Sequence, residues 1–108
     1  MDISRVSDDY AVAPQVLPDE LVAIAELGFV AVICNRPDGE EPGQPSVAEI
    51  SACCEAAGLA FHHVPVSSMP IPEDAIAEHR RVVDQSGGPV LAFCRSGQRS
   101  LLNWQASA

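Results

Sequence analysis

The 108-residue sequence contains no lysine, so its positive charge comes entirely from six arginines. The 15 acidic residues outnumber them and give a formal net charge of −9 at pH 7. A protein of this charge repels phosphate backbones and anionic lipids, so we expect neither nucleic acid nor a membrane surface as a partner. Two of the six arginines, Arg95 and Arg99, lie close to one cysteine, which concentrates positive charge at one point of the chain.

Signal-peptide features and long apolar runs are also missing. The first ten residues, MDISRVSDDY, have no basic start followed by an apolar segment, and no apolar run approaches the length of a membrane span. The four cysteines form no CxxC pair and show no metal-ligand spacing with the three histidines. We therefore predict a cytoplasmic protein with free thiols, no bound metal and no other cofactor.

Short apolar runs alternate with helix signals along the chain. The runs are short enough for buried strands, and that at 29–34 is rich in β-branched residues. Helix starts are indicated by proline followed by acidic residues at two places, and by the capping box of Ser46 and Glu49. The pattern predicts one α/β domain over residues 1–108, with a mainly parallel central sheet flanked by helices. The predicted strands are 10–13, 29–34, 60–66 and 89–94.

The segment that joins the last strand to the last helix carries a cysteine loop. A thiol there lies under backbone N–H groups and at the positive end of a helix dipole, and both stabilise a thiolate. Glycine in the loop permits the positive φ that a tight anion cradle needs. We predict Cys94 as the nucleophile and Arg99 as its catalytic partner; the alternative is an inert buried cysteine beside solvated arginines. The predicted anion-binding residues of this loop are Arg95, Ser96, Gly97, Gln98 and Ser100.

A second candidate loop follows the strand that ends at Cys34. Ligand sites of parallel sheets lie beyond the carboxyl ends of the strands, so this loop is expected beside the cysteine loop. Arg36 is therefore a further candidate for anion binding. The alternative is a surface arginine that pairs locally with Asp38 or Glu40.

The cysteine loop resembles the loops of two families of cysteine enzymes. Protein tyrosine and dual-specificity phosphatases carry His, Cys, five residues, Arg, then Ser or Thr, whereas rhodanese-like sulfurtransferases have four residues between the Cys and an Arg or Thr. Four residues separate Cys94 from Arg99, and Phe93 stands at the histidine position. The loop thus has the sulfurtransferase length. We expect the smaller loop to favour the outer sulfur of a persulfide over a tetrahedral phosphoryl group.

Longer segments resemble a single family over nearly the whole chain. They resemble the bacterial beta-lactamase-hydrolase-like, phosphatase-like domain family, whose members occur alone or fused to persulfide-dioxygenase-like metallo-hydrolase domains. The resemblance implies a dual-specificity-phosphatase-like fold with the rhodanese-length loop, and a persulfide-dioxygenase-like protein as a candidate partner. The segments are FVAVICNRPDGEEPGQPS at 29–46, AAGLAFHHVPV at 56–66 and GGPVLAFCRSGQRS at 87–100.

Two features depart from the pattern of this family. Gln98 stands where a small residue is common, and the chain ends eight residues after Ser100, where relatives usually continue the helix. We therefore expect less helical cover over one sheet face, either because the domain itself is shortened or because the sequence is a piece of a longer chain.

The general acid that a phosphatase needs is missing from its usual place. Dual-specificity phosphatases carry an aspartate on the loop after the third strand, whereas the loop from Val66 to Pro72 contains no carboxylate. Asp38 is the candidate substitute, and a local role beside Gly39 in a turn is the alternative. Sulfur transfer needs no such acid, because the leaving sulfite or thiolate is already a stable anion.

The leading prediction is therefore transfer of sulfane sulfur through a Cys94 persulfide. The expected substrate is a small anion, either thiosulfate or a persulfide, bound by Arg95, Arg99 and the loop amides. One alternative is a phosphatase-like hydrolase that cleaves a phosphate ester through a phosphocysteine. Another is a non-catalytic domain that binds an anion or a protein partner.

Overall fold

A computed structural model describes residues 1–107 and contains five strands and four helices in that range. A short 3-10 turn at Pro18–Glu20 precedes the first helix. The strands are β1 (Ser4–Ser7), β2 (Tyr10–Ala13), β3 (Ala31–Cys34), β4 (Ala60–His63) and β5 (Val90–Phe93). The helices are α1 (Leu21–Glu26), α2 (Val47–Ala57), α3 (Glu73–Gln85) and α4 (Gln98–Ala106).

The strands form one sheet in the order β1-β2-β5-β3-β4. Strands β2, β5, β3 and β4 run parallel, and β1 pairs antiparallel with β2 at one edge. The mainly parallel α/β sheet predicted from the sequence is thus confirmed. Strand β1 is not predicted, because its residues, SRVS, are mostly exposed and carry no apolar pattern.

Both faces of the central strands are covered by helices. Every residue of β2, β3 and β5 is buried, and alternate side chains point to opposite faces. On one face, β-strand side chains pack with Ile24 of α1 and with Ile50 and Cys54 of α2. On the other face they pack with Val82 of α3 and with Trp104 of α4, whose ring stacks on Tyr10 at a centroid distance of 5.5 Å.

The parallel strands bring several loops to one edge of the sheet. Cys34 pairs with Phe93 at the ends of β3 and β5, and the Asn35 N–H donates to the Phe93 carbonyl at 2.8 Å. Ala13 at the end of β2 also pairs with Phe93. The loops after β2, β3 and β5 therefore start side by side, as expected for a ligand site in a parallel sheet.

The helices of residues 1–107 are short, and none combines the length and the apolar character that crossing a membrane requires.

Candidate active site

Cys94 follows β5 directly, and its thiol lies inside a ring of backbone N–H groups. Its Sγ accepts a hydrogen bond from the Gly97 N–H at 3.0 Å. Burial raises the pKa of the thiol, but the backbone N–H groups of Ser100, Ser96, Gly97 and Arg99 more than offset this effect. The pKa of Cys94 therefore lies below its ordinary value, which favours the nucleophilic thiolate.

The other buried cysteines shift in the opposite direction. Burial raises the pKa of Cys34 to about 11 and that of Cys54 to about 12. Cys34 donates its S–H to the Arg36 carbonyl at 3.4 Å, so it is held as a neutral thiol. Of these three thiols, Cys94 is the one whose pKa is lowered, which favours its thiolate relative to the other two.

Gly97 lets the cysteine loop pass close to the end of β2. Its φ of +93° lies in the left-handed region, and it caps the start of α4. A Cβ at this position would lie 3.3 Å from the carbonyl carbon and oxygen of Ala13. The Gln15 N–H also donates to the Arg95 carbonyl at 3.2 Å, so the end of β2 supports the loop from outside.

Arg99 presents both terminal nitrogens to one carboxylate. Nη1 donates to Glu40 Oε2 at 2.9 Å and Nη2 donates to Glu40 Oε1 at 2.8 Å. Nη1 also donates to the Val66 carbonyl at 2.9 Å. The hydrogen bonds from Arg99, with help from Arg36, lower the pKa of Glu40 to about 2, so this carboxyl is ionised at neutral pH. The bonds hold the guanidinium in a fixed orientation at the rim of the cysteine loop.

Arg36 is buried, and its guanidinium is surrounded by acceptors from the protein itself. Nε donates to Glu40 Oε1 at 2.9 Å, Nη1 to Gln15 Oε1 at 2.9 Å and Nη2 to Glu41 Oε1 at 2.8 Å. This is the local pairing named above as the alternative to anion binding. Arg36 thus connects to the site indirectly, because it holds the loop that carries Glu40 to Arg99.

The remaining anion-binding candidates divide into exposed and buried residues. The Arg95 side chain is 69% exposed and pairs through Nε with Glu41. Ser96 and Gln98 are also exposed, and the Gln98 N–H donates to Ser96 Oγ at 3.3 Å. Ser100 is fully buried, and its hydroxyl donates to the side-chain oxygen of Asn35. The backbone N–H of Ser100 is therefore the donor that it offers to Cys94.

Asp38 lies at the start of α2, where its Oδ1 accepts a hydrogen bond from the Val47 N–H at 3.1 Å. The structure therefore gives this carboxylate a local capping contact and does not pair it with an arginine of the cysteine loop. Glu40 and Glu41 are the carboxylates that reach those arginines. Sequence reasoning did not single them out for a role in the site; their position in the NRPDGEE segment, beside a loop with two arginines, is the signal that could have identified them.

A buried histidine beside the site gives the fold an acid-sensitive group. Burial lowers the pKa of His79 from 6.5 to about 4. The unfolded chain therefore binds a proton at His79 more readily than the folded protein does. The contribution of His79 to the free energy of unfolding is fully present above about pH 6.5 and is lost as the pH drops toward 4, by roughly 3 kcal/mol in total. We expect His79→Asn to flatten this slope in urea unfolding at pH 7 and pH 4.5. An unchanged slope in the variant would show that His79 titrates normally.

Sequence comparison shows similarity to one group of proteins over nearly the whole chain. The profile described as the phosphatase-like domain of beta-lactamase hydrolase-like protein matches residues 2–108. A beta-lactamase hydrolase-like protein from Xylella fastidiosa strain Temecula1 is 36% identical over 107 residues, which cover 99% of this chain and 25% of that protein. The chain therefore spans about a quarter of the length of this relative.

Solved structures show the same fold. The crystal structure of a candidate phosphatase from Neisseria meningitidis Z2491 has a TM-score of 0.87 and 39% identity, covering 96% of this chain and 74% of that chain. The active form of Tk-PTP has a TM-score of 0.67 and 24% identity, covering 88% of this chain and 63% of that one. The phosphatase-like fold that the resemblance implied is confirmed.

Proposed function

This chain belongs to the family of beta-lactamase hydrolase-like, phosphatase-like domains, and we propose that it hydrolyses phosphate monoesters through a phosphocysteine at Cys94. The observation that carries the proposal is the Cys94 thiol within a ring of backbone N–H groups, closed by Arg99. The related structure from Neisseria meningitidis, described as a candidate phosphatase, supports the same chemistry. This ranking reverses the one from the sequence, in which sulfur transfer came first.

The proposed reaction has two steps. The Cys94 thiolate attacks the phosphorus atom, an S–P bond forms, and the P–O bond breaks, so that the alcohol leaves as its anion and takes a proton from water. Water then attacks the phosphocysteine, which releases inorganic phosphate and restores the thiolate. In both steps the loop N–H groups and Arg99 stabilise the negative charge on the phosphoryl oxygens.

Arg99 is already oriented for this task before substrate binds. Within residues 1–107, its hydrogen bonds to oxygen use only Nη1 and Nη2, which bind Glu40 and Val66. The Nε–H and the second Nη2–H are therefore the donors left, and we propose that they bind a phosphoryl oxygen at Cys94. A rigid arginine costs less conformational entropy on binding than a mobile one.

Sulfur transfer through a Cys94 persulfide is the second candidate, and one observation favours it. Glu40, the carboxylate that Arg99 binds, is ionised at neutral pH, and the candidate acid Asp38 accepts a hydrogen bond from the first residue of α2, so neither is placed to donate a proton. A reaction whose leaving group is a stable anion needs no such donor. For the phosphatase reaction, the same observation predicts a strong preference for esters with acidic alcohols.

Mass spectrometry after acid quenching distinguishes the two reactions. The wild-type protein is mixed with p-nitrophenyl phosphate or with thiosulfate, and Cys34→Ser serves as the matched control for the labelled cysteine. We expect p-nitrophenol release and one phosphoryl group on Cys94 in both proteins. A sulfur atom on Cys94 after thiosulfate, without any phosphoryl adduct or hydrolysis, would overturn the proposal in favour of sulfur transfer.

A further inference from the structure

Four fully buried polar residues form a chain of hydrogen bonds beneath the cysteine loop. They are Tyr10 on β2, Asn35 after β3, His79 on α3 and Ser100 on α4. Tyr10 Oη lies 2.7 Å from His79 Nε2, and Asn35 Nδ2 lies 3.2 Å from His79 Nδ1. The Tyr10 hydroxyl reaches the Ser100 carbonyl at 2.9 Å, and the Ser100 hydroxyl reaches Asn35 Oδ1 at 2.8 Å. The chain closes on itself at Ser100.

The partners at each end determine which atoms carry the protons. The Tyr10 hydroxyl has one hydrogen, and the Ser100 carbonyl can only accept, so His79 Nε2–H donates to Tyr10 Oη. His79 Nδ1 is then bare and accepts from Asn35 Nδ2. One neutral tautomer of His79 satisfies every contact, which agrees with its lowered pKa.

Asn35 connects this chain of hydrogen bonds to the thiol and the guanidinium of the site. Its N–H donates to the carbonyl of Phe93, the residue before Cys94, at 2.8 Å. Its carbonyl accepts from the N–H of Val66 at 2.9 Å, and the Val66 carbonyl in turn accepts from Arg99. Its side-chain Nδ2 also donates to the Val64 carbonyl at 2.8 Å. The thiol and the guanidinium are thus supported by the same residue.

We propose that Tyr10, His79 and Asn35 are positioning residues that fix Ser100 and Val66, and through them the Cys94 thiol and the Arg99 guanidinium. His79 Nδ1 and the Val64 carbonyl are the two acceptors that together select one orientation of the Asn35 amide. The opposite orientation would turn the amide oxygen toward the Val64 carbonyl and remove the acceptor of the Ser100 hydroxyl. The importance of this chain of hydrogen bonds for turnover rests on the proposed function. Its effect on the reactivity of the Cys94 thiol does not.

Two substitutions of the same histidine separate positioning from simple core filling. The amide of His79→Asn places an acceptor near the Nδ1 position and keeps the contact with Asn35, whereas the amide of His79→Gln reaches the Nε2 position and loses it. The readout is the rate of Cys94 alkylation by iodoacetamide from pH 5 to pH 9, with labelling located by mass spectrometry. We expect His79→Asn to react within about twofold of wild type at pH 6, and His79→Gln about tenfold more slowly, with full recovery at high pH.

Further variants keep the test decisive. Tyr10→Phe retains the ring that stacks on Trp104 and removes the hydroxyl, so it is expected to shift the alkylation profile in the same direction as His79→Gln. Ser100→Ala removes the link to Asn35 without altering the helix backbone, and it carries the test if thermal unfolding shows that both His79 variants are unfolded.

Profiles that match wild type in every folded variant, or equal shifts in His79→Asn and His79→Gln, would overturn the proposal. The alkylation assay uses no phosphate ester, so a wild-type protein without phosphatase activity would contradict the proposed function alone.

Discussion

Cys94→Ser is expected to lower p-nitrophenyl phosphate turnover by roughly 10⁴-fold or more. The backbone N–H groups around Cys94 lower the pKa of a thiol, but a serine hydroxyl is far too weak an acid to be ionised by the same donors. The variant keeps the shape of the loop and the Arg99 contacts, so we expect it to bind inorganic phosphate as wild type does. The measurements are steady-state turnover and phosphate binding by calorimetry.

The matched control is Cys34→Ser at the end of the neighbouring strand. Cys34 is buried like Cys94, but its pKa is raised to about 11 and its S–H donates to the Arg36 carbonyl, a contact that a hydroxyl can reproduce. Near-normal turnover is expected. Loss of activity in Cys34→Ser together with full activity in Cys94→Ser would show that the nucleophile is Cys34 and not Cys94.

Arg99→Lys is expected to reduce kcat by about 10²- to 10³-fold, the usual cost of losing an oriented donor to a transition-state oxyanion. A lysine cannot bind both oxygens of Glu40 and also direct a further N–H toward Cys94. Because the lost contact strengthens as charge develops on the phosphoryl oxygens, kcat is expected to fall more than KM rises.

Arg95→Lys provides the comparison for Arg99→Lys. The Arg95 side chain is largely exposed and pairs only with Glu41 among residues 1–107, and surface pairs of this kind contribute little. We expect its kcat to remain within about fivefold of wild type. Equal losses in the two variants would show that general positive charge, rather than the oriented fork of Arg99, supports catalysis.

Local signals made parts of the fold predictable from the sequence. Helix α2 was predicted at both ends because its caps are short-range: Ser46 Oγ accepts from the Glu49 N–H, and Gly58 takes a left-handed conformation. The cysteine loop was predicted for the same reason, since its donors lie within six residues of Cys94.

Long-range contacts were not predictable in this way. The pairing of Arg99 with Glu40 joins residues 59 positions apart, and the hydrogen bond from Tyr10 to Ser100 joins residues 90 positions apart. No local pattern indicates that β5 lies between β2 and β3, which is what brings these residues together. The prediction of sulfur transfer also depended on a local feature, the length of the cysteine loop. Similarity over the whole chain favours the phosphatase-like alternative instead.

The pairing of arginines with carboxylates at the rim of the cysteine loop determines the long-range electrostatic force between this protein and a charged substrate. Arg36, Arg95 and Arg99 pair with Glu40 and Glu41, so these five side chains together carry a formal charge of only +1. The chain as a whole carries −9, and an approaching dianion is therefore repelled until it reaches contact. Association with such a substrate accelerates as ionic strength rises, because added salt screens the repulsion and leaves the short-range hydrogen bonds intact.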